Sequence, residues 1–394
     1  MKAISIIPLC VLLAIPSCIQ AQEKGAKVNF KIGDGVTVSS ANEKFSLNLK
    51  ADFSAGVNFD VDKDEDVRST SFNIVKARLN LSGNLLGPKL TYSLQFGFSP
   101  ADTKTLPNGN SSFVRDAVIH YKPNSHWQLS FGQTKVKANR AHITSSQLLT
   151  FVGRSIVDGP FQQDRDFGVF AEFNHSLIGK SHIAIKGSVS SGEGRDFGIT
   201  RKSGFNYNGR LEIFPMGRFT NKGEFSEIDL IHEPTPKLMI AGAFSYNDRA
   251  LRLGGETGAI STDGGHDLHQ YYADIAFKYQ GFTLHADFMG RYTERPIISA
   301  DQFIYKGLGY NTQINYNFPR RKWTLAARFS SLIPHREVRI AAGYKQQQQT
   351  TLAATYHLNG YKLKAQAEAS YNNRIEALTP YNRWQFGVII EAVL

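Results

Sequence analysis

The sequence predicts an all-β protein, a transmembrane antiparallel β-barrel of about sixteen strands, and three observations carry that expectation. Over residues 45–60 apolar and polar side chains alternate without a break: Phe45, Leu47, Leu49, Ala51, Phe53, Ala55, Val57 and Phe59 share one face, and polar residues or Gly56 the other. Such a run exceeds an ordinary strand of about 5–6 residues and is long enough to cross a bilayer at a tilt. The same alternation recurs down the chain to Trp384, Phe386, Val388, Ile390, Ala392 and Leu394. The connections between these runs are short and long in turn, which is the outer-membrane pattern.

The first segment, 1–21, has Lys2, an apolar run from Ile4 to Ile15 and a small-residue end at Ala21, so it is expected to be a cleaved signal peptide. A competing reading takes Ile15-Pro16-Ser17-Cys18 as a lipid-attachment box. Residues 22–43 are expected to form a short periplasmic segment and 44–394 the barrel. Both cysteines, Cys10 and Cys18, precede Ala21, so the remainder holds no thiol for disulfides, catalysis or metal binding. No later stretch approaches the roughly 18 apolar residues of a spanning helix, and the slightly polar mean hydropathy does not argue against a barrel, whose strands hide their polar half inside.

In order, strands are expected at 45–59, 72–83, 90–98, 113–121, 127–133, 166–173, 183–189, 205–214, 238–246, 271–279, 282–291, 308–316, 323–329, 351–358, 361–371 and 383–394. Gly87-Pro88, Pro123-Asn124, Gln280-Gly281, Pro319-Arg320 and Asn359-Gly360 mark tight turns. Long polar loops fall at 60–71, 99–112, 134–165, 190–204, 247–269, 292–307, 330–350 and 372–382. Counting 225–232 as a further strand would make the total odd and put the next loop on the wrong side. Parity therefore makes 215–236 one extended periplasmic connection. About sixteen strands leave a water-filled lumen, where eight would be packed solid.

Several stretches resemble the phosphate-selective porin O and P family. They include Gly132-Gln133-Thr134-Lys135, Thr144-Ser145-Ser146, Leu149-Thr150-Phe151 with Arg154-Ser155, and Asp164-Arg165-Asp166-Phe167-Gly168-Val169. Asn208-Gly209-Arg210-Leu211-Glu212, Glu233-Pro234-Thr235-Pro236-Lys237-Leu238 and Phe277-Lys278-Tyr279-Gln280-Gly281-Phe282 extend the likeness. The resemblance implies a sixteen-stranded, trimeric outer-membrane channel whose third external loop folds inward to narrow the pore, with phosphate among its solutes.

The charges give that expectation its residues. With 45 Lys and Arg against 34 Asp and Glu, the chain is basic. Lys76, Arg78, Lys186, Arg210 and Arg328 fall on the inferred inward faces and are expected to line the lumen, with Lys50, Lys278, Lys362 and Lys364 beside them. Carboxylates such as Asp116, Glu172, Glu212, Asp274, Asp287 and Glu391 face the same way, leaving a modest cationic surplus that favours anions. The 134–165 loop has an apolar centre, Leu148-Leu149-Thr150-Phe151-Val152, that would be costly in solvent and is expected to pack against the inner wall. Its Lys135, Lys137, Arg140, Arg154 and Arg165 are then candidates for the constriction, guanidinium forks being suited to oxyanions. For Arg154 and Arg165 the other reading is an ion pair with Asp158, Asp164 or Asp166.

Aromatic residues near strand ends, among them Tyr92, Trp127, Tyr246, Tyr361 and Trp384, are expected to form interfacial girdles. Gln346–Gln349 is expected at a polar loop tip. The acidic stretch from Asp60 to Asp66 lacks the sixth-position glycine and twelfth-position glutamate of a calcium loop, and no zinc, esterase or nucleotide-binding motif is present. No cofactor, no metal and no nucleic acid is expected. The expected function is a passive outer-membrane porin for small hydrophilic solutes with a preference for anions such as phosphate, embedded among outer-membrane lipid and lipopolysaccharide. A specific uptake or secretion-partner channel is the alternative, and an outer-membrane enzyme fits least.

Overall fold

The computed structural model describes residues 25–61, 67–105, 111–196, 202–319, 322–343, 345–375 and 381–394. The segment 1–21 with its cleavage and lipidation readings, and most of the acidic stretch, lie outside them.

Sixteen strands form the barrel: Ser46–Val61, Val67–Asn84, Leu90–Gly97, Val114–Tyr121, Trp127–Lys135, Arg165–Ser176, His182–Ser190, Asn206–Phe214, Lys237–Ala250, His266–Tyr279, Phe282–Tyr292, Gly307–Asn317, Trp323–Pro334, Gln346–Asn359, Leu363–Ile375 and Tyr381–Val393. Each pairs antiparallel with the next, and the last closes on the first, with Trp384 opposite Val61 and Val393 opposite Asp52. Closure removes every strand edge, which a bilayer requires because nothing in lipid can satisfy a bare backbone N–H or C=O. The 225–232 stretch is not a strand, and 215–236 is a single connection, as parity demands.

Alternation decides which face meets what. In Asn206–Phe214 the side chains of Asn206, Asn208, Arg210 and Glu212 are buried inside, while Tyr207, Leu211 and Ile213 are exposed outside. Ile185, Ile240, Phe244, Ile275, Leu325 and Ile390 continue this exposed apolar surface around the barrel. An arginine at Ile275 should therefore destabilise the inserted barrel by about 2–4 kcal/mol near the midplane, and one at Ser93, on the inner face, by much less. Urea titration of both variants in lipid vesicles checks this; equal midpoints would show that the register is wrong.

Three local expectations need correction. Gln346–Gln349 opens a strand rather than capping a loop, pairing with Asn372–Ile375 on one side and Leu332–Ser330 on the other. At the end of a tall strand both faces can meet water, so glutamine is tolerated. Tyr361 is not in a girdle: the strand begins at Leu363, and the Tyr361 hydroxyl turns inward to Ile228, accepting from its N–H at 2.8 Å and reaching its carbonyl at 2.9 Å. Asn359-Gly360 closes through a bulge, with Asn359 opposite Leu363, not through a two-residue turn. By contrast, Gln280 and Gly281 both have positive φ, 47° and 88°, the geometry of a tight two-residue hairpin.

A hairpin of Lys27–Lys31 and Gly35–Ser39 precedes the barrel, and its second arm pairs with Ser46–Leu49 just beyond the point where the last strand stops. Gly35, at φ 81°, sits where a Cβ would come within 2.1 Å of the Leu49 carbonyl, so only glycine fits. Lys362 and Lys31 hydrogen-bond the Asp34 carboxylate at the hairpin tip and hold it down to about 2. No helix among the described residues is long and apolar enough to cross a membrane.

Candidate functional site

Segment 136–164 leaves the strand Trp127–Lys135 and returns through Arg165–Ser176, touching inward-facing residues of many strands on the way. Val136, Ala138, Ala141, Val157 and Phe161 form an apolar cluster with Phe170, Tyr272, Met289, Tyr305 and Leu332. Phe151 packs on Ala326 and Ala353. Between these contacts the backbone carbonyls are capped by wall residues: Leu149 accepts from Lys364 Nζ at 2.9 Å, Thr150 from Gln366 at 2.7 Å and Gly153 from Arg328 at 2.8 Å. A segment without strand partners must satisfy its backbone this way if it is to be buried.

From the opposite rim, segment 215–236 contacts inward-facing wall residues. Phe219 joins Phe214, Ala184, Met239, Ala241 and Ala276 in a second cluster, and Lys278 Nζ donates to the Ile228 carbonyl at 2.9 Å. The two segments meet where Glu227 N–H donates to the Leu148 carbonyl at 3.0 Å. Nothing in the sequence flagged this contact, because 215–236 has no periodicity and its length was the one available cue.

The residues expected at the constriction are placed as follows. Lys135 Nζ donates to the carbonyls of His142, Ile143 and Thr144, at 2.7 to 3.3 Å. Arg140 is fully buried, with Nη2 3.1 Å from both oxygens of Asp287. Arg154 donates to the carbonyls of Ala141 and Thr144 at 3.0 and 2.8 Å and lies 3.7 Å from Asp158. Arg165 pairs with Asp116 at 3.0 Å and with Asp164 at 3.1 Å. Lys137 is partly exposed and makes no hydrogen bond or ion pair among the described residues.

The expected lumen-lining cations are similarly engaged. Lys76 pairs with Glu391 at 2.8 Å, Arg78 is held by Asp102 and by Ser146 Oγ at 2.9 Å, and Lys186 pairs with Glu212 at 2.7 Å. Arg210 bridges Glu212 and Asp274, at 2.7 and 2.6 Å, and Arg328 lies 4.2 Å over the Phe151 ring. Lys364, also expected beside the lumen, is fully buried beneath Leu149 and lies 3.8 Å from Glu391. A cation with a carboxylate in contact presents little net field to an ion passing at a distance.

Exposure differs around the inner wall. Inward residues from 206 to 370, such as Arg210, Asp274, His285, Gln313, Thr324, Thr355 and Gln366, are buried. On the wall formed by 46–135 and 165–176, Lys50, Asn80, Gln95, His120, Gln128, Glu172 and Asn174 keep partial exposure. One hollow of about 380 Å³ lies between Lys50, Asn80, Gln95 and the segment residues Ser145 and Gln147. Another, of about 470 Å³, lies between Gln128, Glu172, Asn174 and Arg218, Lys222. Lys50 and Glu172, like Lys137, have no ion-pair partner among the described residues.

At the long-loop rim, Lys104 Nζ donates to the Arg195 carbonyl at 2.7 Å, and Glu193 accepts from Leu251 N–H at 2.6 Å. Burial pushes the Glu193 carboxyl up to about 7 and the Glu256 carboxyl well above its usual range. Among the described residues no group of three or more His, Cys, Asp or Glu is placed to hold a metal.

A closed sixteen-stranded barrel with an apolar outside and a charged inside is an outer-membrane channel of the porin type. Salmonella typhi OmpF, in complex with daunomycin, shares this fold at a TM-score of 0.57 and 13% identity, covering 90% of this chain and 99% of that one. An anion-selective porin from Comamonas acidovorans is similar at 0.56 and 11%, covering 89% and 100%. Vibrio cholerae OmpT, in its trimer form, is similar at 0.53 and 11%, covering 88% and 99%. Residues 44–224 match the model of the phosphate-selective porin O and P family, so the resemblance carried by the motifs is shown over that span. No curated protein sequence matches the chain.

Proposed function

We propose that this protein is a passive porin whose segment 136–164 lies in the lumen and narrows it, leaving an off-centre crevice with a modest preference for small anions. The observation that carries this is the contrast between matched and unmatched charges. Arg140, Arg165, Arg210 and Lys76 are neutralised in place, whereas Lys50 and Lys137 have no ion-pair partner among the described residues and stand beside the partly exposed wall, opposed by Glu172. Charges in a narrow passage with low-dielectric walls act strongly on ions. Phosphate as a solute is supported by the family's name and an anion preference by the Comamonas porin; the trimer form of OmpT supports a homotrimer. On this reading the chain carries out no chemistry, takes no cofactor, and is exported by the segment 1–21 to lie among lipid and lipopolysaccharide.

Reversal potential in a KCl gradient across a planar bilayer tests the reading. The wild type should prefer chloride, and Lys50→Ala with Lys137→Ala should shift the potential toward cation preference. Removing a matched pair, Lys76→Met with Glu391→Gln, should leave it nearly unchanged. A potassium preference in the wild type, or no shift in the double lysine variant, would sink the anion-crevice reading and leave a general porin.

A further inference from the structure

We propose that Glu227 is a positioning residue that sets the width of the passage by pinning the tip of segment 136–164 from the opposite rim; this rests on the reading that the segment narrows the channel. A connection as long as the one between Phe214 and Lys237 exceeds what a turn needs, and such connections are seldom filler. Here it places one carboxylate against a backbone. Glu227 Oε2 accepts from Thr150 N–H at 2.8 Å, while its own N–H donates to the Leu148 carbonyl at 3.0 Å. Its carbonyl accepts from Asn315 Nδ2 at 2.7 Å, which ties the joint to the wall.

The strut is itself braced. Ile228, next along the chain, is held by the Tyr361 hydroxyl and by Lys278, and Asp229 accepts from Gly281 N–H at 2.9 Å. On the far side of the tip, Thr150 O is capped by Gln366 and Thr355. The Leu148–Thr150 stretch is thus gripped from two directions, by strand side chains on one side and by Glu227 on the other. Ser145 and Gln147, immediately before it, face the hollow against Lys50 and Gln95. If the tip swings away from Glu227, that hollow changes width. Of the two hydrogen bonds that Glu227 makes to the tip, the carboxylate's is the one a side-chain substitution removes, so it is the handle by which the tip can be released.

Single-channel recording of the purified full chain, with Gln147→Cys as a thiol reporter, provides the test, because the sequence after Ala21 holds no other cysteine. Glu227→Ala should turn a steady open level into a flickering one of higher mean conductance and speed modification of the reporter by a water-soluble thiol reagent several-fold. Glu227→Gln, which keeps an acceptor at the same reach, should behave as the wild type. Glu227→Asp, which keeps the charge but shortens the reach, should behave as Glu227→Ala and stands in for it if that variant does not fold. Wild-type noise and labelling in the alanine or aspartate variant would overturn the proposal, as would a glutamine variant as loose as the aspartate one. If deleting 140–158 raises conductance while Glu227→Ala changes nothing, the strut alone fails; if the deletion changes nothing either, the narrowing reading fails with it.

Discussion

Deleting residues 140–158 is expected to raise single-channel conductance several-fold while leaving a folded, strand-rich barrel. The strands owe their backbone pairing to one another, around a ladder closed between Trp384–Val393 and Asp52–Val61, so no strand depends on the segment for its register. What the deletion does remove is packing. Phe151 and Val157, at 1% and 0% exposure, each lose a burial contribution of about 1.5–3 kcal/mol. The polar groups they leave behind, Lys364, Gln366, Asp287 and Glu368, face a lumen that water can now fill, and a solvated charge no longer suffers the penalty of an unpaired buried one. A barrel of this strand number without a plug has an aqueous channel. Planar-bilayer recording gives the answer directly, with resistance of the folded band to detergent as the control for folding. Unchanged conductance in a folded variant would put segment 136–164 off the ion path.

The barrel was largely legible because its physics is local. A side chain on a strand faces lipid or lumen by parity alone, so Leu211, Ile213 and Ile275 could be placed outside and Arg210 and Asp274 inside from alternation. Parity also settled the status of 215–236. What alternation does not encode is partnership. That Arg165 pairs with Asp116, Arg140 with Asp287 and Arg78 with Asp102 depends on which strands and loops are brought together across the lumen. For that reason a cationic surplus counted from alternation does not by itself give the field inside the barrel. Tyr361 shows the same limit: an aromatic at a strand end reads as a girdle residue, yet Ile228, 133 positions away, supplies a backbone partner inside. Glu227 was invisible for a related reason, since its partners at Leu148 and Thr150 belong to another long connection.

Replacing Arg210 by Ala is expected to be among the most destabilising substitutions in the barrel, by about 3–5 kcal/mol, the cost of leaving buried charge uncompensated. Arg210 is 2% exposed and joins three groups at once, with Nε 2.7 Å from Glu212, both terminal nitrogens on Asp274 and Nη1 2.8 Å from the Ala138 carbonyl. Without it, Glu212 and Asp274, both buried, face each other, and Lys186 alone cannot neutralise both. Arg210→Lys should recover only part of the loss, because an ammonium cannot reproduce the fork that engages two carboxylates. Adding Asp274→Asn to Arg210→Ala should recover more, by removing the charge left stranded. Urea unfolding of the refolded barrel in detergent or vesicles gives the ordering. The outcome also reports where the water runs: a tolerant Arg210→Ala would mean that solvent reaches Glu212 and Asp274, so that the passage follows the 206–279 wall and not the crevice beside Lys50 and Glu172.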